Sequence, residues 1–125
     1  MGISLYYQAR RERPLSPDER AAIDSVVARY PVEALIAGVS VPPEEYNGEA
    51  FVVYPAETCT VPGIVFEGAT KLPTNSEEAF WVAVQFWCQL LTEVRQLLSD
   101  AEWAVQIDDH DIWWDLERRR YDPSV

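Results

Sequence analysis

Positive charge is scarce in this sequence: 10 Lys and Arg stand against 21 Asp and Glu, a formal net charge of -11 over 125 residues. Phosphate backbones and anionic membrane surfaces repel such a chain at long range, so neither nucleic acid nor a membrane is an expected partner. A basic protein or a cation is attracted. The same charge also keeps a protein soluble. Histidine occurs once, as His110, and cysteine twice, as Cys59 and Cys88. One imidazole is short of a zinc set, and two thiols without ligand spacing build neither a metal centre nor a disulfide framework. Both thiols are expected to be reduced, in a cytoplasmic protein. Cys59 with His110 is the sole thiol–imidazole combination, and nothing in the sequence brings the two together for nucleophilic catalysis.

Glycine is also sparse, at 5 residues. Gly63 and Gly68 sit where strands end, not where a phosphate is cradled, and no P-loop, nucleophile elbow or dinucleotide fingerprint is present. No cofactor is implied. Long apolar runs are missing too. The most apolar stretch, Phe80 to Leu91, is interrupted by Gln85 and Gln89 and is too short to span a bilayer. The start of the chain has no basic patch followed by an apolar segment, and Tyr6 stands where a myristoylation signal wants Ser or Thr.

Apolar and aromatic material is plentiful. Hydrophobic residues make up 48% of the chain, with 5 Trp, 6 Tyr and 4 Phe. That is enough for one core, and residues 1–125 read as a single α+β domain that buries about two-thirds of its unfolded surface. Ile3, Leu5, Tyr7 and Ala9 alternate with polar neighbours as a half-buried strand. Ser16, Pro17 and Glu19 open a helix through a capping box and a proline at its first position, and Pro31 stops it. Residues 34 to 41 read as a short strand or extended connection. Glu49 to Tyr54 and Gly63 to Leu72 look like paired strands. Thr74 to Glu78 start a second helix that runs to about Ser99. Its apolar stripe includes Phe80, Val84, Trp87 and Leu91, with Gln85, Gln89, Thr92 and Gln96 on the other side. Trp81 falls outside the stripe, and cover from residues 32 to 49 is expected for it. Trp103 to Ile107 and Ile112 to Leu116 form a terminal hairpin around Asp109-His110-Asp111, followed by a solvated tail from Arg118.

This order matches a ferredoxin-like βαββαβ sandwich, two helices on one face of an antiparallel sheet, with an extra C-terminal strand. The pleat then places Tyr6, Gln8, Gln106, Asp108 and either Trp113 or Trp114 on the uncovered face, where some of Tyr54, Val65 and Glu67 are expected to join them. An aromatic, amide and acidic mixture of this kind suits an interface. Partner-binding residues are therefore expected at Tyr6, Gln8, Trp81, Gln106 and Trp113. RNA stacking is disfavoured, because the same strands carry Glu67, Asp108 and Asp115.

The densest group of potential ligands is Asp108, Asp109, His110 and Asp111. Carboxylates with one imidazole suit magnesium or manganese, and a metal-dependent enzyme built on them is the alternative to a binding role. Acidic turns form equally for conformational reasons. A further alternative is a small-ligand domain with its pocket between the sheet and residues 42–62. The leading expectation is a small non-catalytic binding or regulatory protein that holds a basic protein or a second copy of itself. In fold class and charge it resembles the immunity proteins that neutralise basic toxins, a likeness carried by no motif.

Overall fold

A computed structural model describes residues 3–54, 63–108 and 110–123. The chain opens with β1 (Ile3–Arg10), in which Leu5, Tyr7 and Ala9 are buried and Tyr6 is exposed, as the two-residue alternation predicts. Helix α1 (Pro17–Ala28) begins at Ser16, whose Oγ accepts from the Glu19 amide at 3.0 Å while Glu19 Oε1 accepts from the Ser16 amide at 2.9 Å. This is the reciprocal cap written in the sequence. Pro31 ends α1 but then serves as the N-cap of a short helix, α2 (Val32–Ala37), which buries Leu35. The first half of the expected extended segment, residues 34–37, is thus helical. Proline lacks the donor that helix continuation needs, and at the start of a helix that donor is not required.

Strand β2 (Ile64–Leu72) and the long helix α3 (Glu77–Leu97) follow, then β3 (Glu102–Ile107) and the two-residue β4 (His110–Asp111). The sheet is antiparallel, in the order β2-β1-β3-β4. Its register sets Tyr7 beside Gly68 and Val105, and Tyr6 beside Ala69 and Gln106. Leu5, Tyr7, Phe66, Leu72 and Val105 share one face and form a core with Ile23 and Val26 of α1 and with Val84, Trp87, Leu91 and Val94 of α3.

The ferredoxin-like arrangement is not what the sheet order shows. The strand expected over residues 49–54 is absent from the ladder, although its ends lie along the free edge of β2. The Glu49 amide donates to the Lys71 carbonyl at 2.9 Å, and the Tyr54 amide to the Glu67 carbonyl at 2.8 Å. Five residue steps on one side thus face four on the other, and the surplus arches over the sheet. Phe51 turns inward to stack on Tyr7 at 4.6 Å, and the Val52 carbonyl accepts from the Tyr7 hydroxyl. A bulge of this kind breaks strand pairing.

The end of the chain departs further from expectation. After β4 the Ile112 amide donates to the Val105 carbonyl at 2.8 Å, and the chain then leaves the sheet. It forms a second hairpin from β5 (Trp113–Asp115) and β6 (Arg120–Asp122) that rests on α3. The expected solvated tail therefore contains a buried residue, Tyr121. Among the described residues no helix is long and apolar enough to cross a membrane.

Arg11 closes the space between the end of β1 and α1. Its almost fully buried guanidinium donates to Glu19 Oε2 and to Asp100 Oδ1, both at 3.0 Å. The Arg11 hydrogen bonds, then the Ser16 amide, hold the Glu19 carboxyl down at about 2. A depressed carboxylate contributes stability above its unfolded pKa of about 4.3. That contribution is lost as pH falls through the folded value. Glu19→Gln is therefore expected to lose less stability than wild type on acidification from about pH 5 to pH 2. Urea midpoints across that window check it, and parallel curves count against the assignment.

Candidate functional site

Trp81, Gln85, Gln89 and Thr92 recur at steps of four, four and three, so they form one stripe along α3. The stripe is the floor of a groove of about 890 Å³. Tyr30, just past the end of α1, forms one wall. Its ring meets Phe86 edge-on at 5.3 Å, and its hydroxyl donates to Glu93, which also takes Arg29. Burial, then the bond to Glu93, pushes Tyr30 up to about 12. Burial opposes ionisation of Glu93, yet the bonds from Tyr30 and Arg29 hold its carboxyl below the usual range.

Strand β6 forms the other wall. Thr92 Oγ1 donates to the Cys88 carbonyl at 2.7 Å and accepts from the Tyr121 amide at 3.1 Å, and Gln96 Nε2 donates to the Arg119 carbonyl at 3.3 Å. The chain from Arg119 to Asp122 thus runs antiparallel to α3, with Arg120 towards the C-terminal end of the groove. Arg95 fixes this hairpin. Its guanidinium lies 4.2 Å from the centre of the Trp114 ring, and Nη1 donates to the Tyr121 hydroxyl at 3.1 Å. The cation holds two aromatic rings at once, which is worth most where water is excluded.

The groove is lined by an indole, two amides, a thiol and a guanidinium, among other groups. Trp81 is 45% exposed at one end, so the expected cover from residues 32–49 does not form. Neither the Gln85 nor the Gln89 amide has a hydrogen-bond partner among the described residues. Arg120 has no ion pair among them. Cys88 lies at the base, 2% exposed, and burial followed by the charge of Asp122 pushes its thiol up to about 12. Burial pushes Tyr121 to about 12 as well. Thiols activated as nucleophiles are shifted the other way. Tyr30, Cys88 and Tyr121 all keep their protons at neutral pH.

The residues expected to form one partner surface lie in three places. Tyr6, Gln8 and Gln106 do share the uncovered face of the sheet, around a smaller hollow of about 270 Å³ that Tyr54 and Glu67 also line. Trp81 is on α3. Trp113 is on β5, away from that sheet and 61% exposed, while Trp114 turns in to meet Tyr121 at 4.9 Å. The expected small-ligand region holds a hollow of about 310 Å³ between Ile23, Val53 and Phe66.

Of the four candidate metal ligands, Asp108, His110 and Asp111 lie among the described residues. Asp108 adopts φ 51 and ties the turn, its amide donating to the Ser4 carbonyl at 3.1 Å and its carboxylate accepting from the Ser4 amide at 3.3 Å. His110 and Asp111 are successive residues of β4, so their side chains leave on opposite faces. Among the described residues no three His, Cys, Asp or Glu side chains come together to hold an ion. Asp109 and Cys59 lie outside the described residues.

No family model matches the chain, and neither a curated protein nor a solved structure matches it.

Proposed function

We propose that this protein is a non-catalytic binding protein that holds a basic protein partner in the groove along α3. The observation that carries this reading is Trp81, half exposed at the mouth of a cleft of about 890 Å³ on whose floor the Gln85 and Gln89 amides have no hydrogen-bond partner among the described residues. Large aromatic side chains left accessible beside a concave surface are what interfaces use as anchors. The net charge of -11 selects for positive partners and speeds their encounter.

Co-purification from native lysate tests it with three proteins: wild type, Trp81→Ala and Tyr6→Ala. Wild type and Tyr6→Ala are expected to retain the same basic protein at low salt and to release it at high salt. Trp81→Ala is expected to retain at least about tenfold less, the loss of one modest anchor. Retention by Trp81→Ala with loss from Tyr6→Ala moves the surface to the sheet. If wild type retains nothing and runs as a monomer, the binding role fails.

A further inference from the structure

We infer that the groove takes an extended segment of about five residues, with a Lys or Arg side chain on Trp81 and a carboxylate at Arg120. This rests on reading the groove as the binding site and adds the form and charge order of what enters it.

Length comes first. From Trp81 to Thr92 the floor rises along α3 by about 16 Å at 1.5 Å per residue. An extended chain covers that distance in about five residues. The amides supply the second argument. Gln85 and Gln89 are separated by about 6 Å along the helix axis, close to the two-residue repeat of an extended chain, about 6.7 Å. Both can therefore meet main-chain groups on the same edge of one strand-like segment, each amide donating and accepting.

The ends of the groove differ in charge. Glu77 lies one turn before Trp81 on the same side of α3, exposed and with no partner among the described residues. A Lys or Arg laid over the indole is thus within reach of a carboxylate. The fold already uses the same pairing internally, where Arg95 lies 4.2 Å from the Trp114 ring centre. Asp122 on the β6 wall adds acidic charge between the ends. At the far end Arg120 is exposed and repels a second cation, but its guanidinium matches a carboxylate. A uniformly basic segment fits less well than one that is basic at one end and acidic at the other.

Labelled pentapeptide pools with three randomised central positions test this by fluorescence anisotropy with the full chain. Their terminal residues are Arg and Glu, Glu and Arg, or Gln and Gln, so that both chain directions are sampled. One of the oppositely charged pools is expected to bind at least about tenfold more tightly than the Gln pool, a difference of about 1.4 kcal/mol. Trp81→Ala and Glu77→Gln should each reduce that advantage, as should Arg120→Gln, and all three positions are exposed, so folding is retained. The inference is overturned if neither charged pool exceeds the Gln pool, or if the advantage survives both Trp81→Ala and Arg120→Gln. Should the lysate partner still depend on Trp81 while no pool binds, the groove holds a folded surface and only the extended segment is lost. If the lysate partner also ignores Trp81, the binding groove falls with it.

Discussion

Trp87→Ala is expected to remove about 3–5 kcal/mol of stability, the usual cost of emptying a large aromatic from a core. Trp87 lies on the sheet side of α3 with no exposed surface. Its ring is 4.9 Å from Phe86 and 5.5 Å from Phe51, and Phe51 in turn stacks on Tyr7. The indole therefore joins helix, arched segment and sheet, and its loss leaves a hole bordered by three elements that move apart only together. A domain of this size has about 5–15 kcal/mol in total, so the variant sits near its unfolding transition. Trp87→Phe behaves differently. The indole N–H is buried without an acceptor among the described residues, and an orphaned donor costs about 1–3 kcal/mol. Removing it offsets part of the lost area, so Trp87→Phe should stay within about 1.5 kcal/mol of wild type. Urea unfolding of the two variants decides the matter. Equal losses mean that the N–H is satisfied in solution and the area argument stands alone.

The parts of this fold that were legible in the sequence are those fixed by local chemistry. The capping box at Ser16 and Glu19 needs four consecutive residues, and the alternation of β1 needs its own side chains only. The apolar stripe of α3 states which side faces the sheet. The same stripe left Gln85 and Gln89 on the polar side with no role assigned and set Trp81 apart as a partner-binding residue, and together these three line the floor of the groove. Its walls were not legible. Arg120 to Asp122 read as a polar tail because one buried residue in three, Tyr121, gives no periodic signal. Its place depends on Arg95 and Thr92, which are 26 and 29 residues away. His110 and Asp111 of the acidic run are consecutive residues of β4, so their adjacency in sequence sends their side chains to opposite faces.

Gly68→Ala is expected to destabilise the protein by about 2–4 kcal/mol, combining overpacking with the loss of a buried hydroxyl's partner. The reason is proximity and not backbone conformation. A Cβ at this position would lie 2.2 Å from the Val52 carbonyl oxygen and 2.6 Å from Cε2 of Tyr7. Neither neighbour has room to retreat. The carbonyl belongs to the backbone of the arched segment, and the Tyr7 ring is held between Phe51 and Phe66. Relief therefore requires residues 49–54 to lift from the edge of β2. That motion breaks the Tyr7 hydroxyl bond to Val52, leaving Thr70 Oγ1 at 2.7 Å as its remaining partner. Hydrogen exchange gives a second readout, since the amides of Glu49 and Tyr54 donate to the β2 edge and should lose protection before the core opens. Gly38→Ala is the matched control: the nearest atom to its added Cβ is 3.4 Å away, and its effect should fall within about 0.5 kcal/mol. If Gly68→Ala is as mild as Gly38→Ala, then the arch is not pinned to the sheet. The missing strand pairing of residues 49–54 along β2 would then need another cause than the carbonyl seated over Gly68.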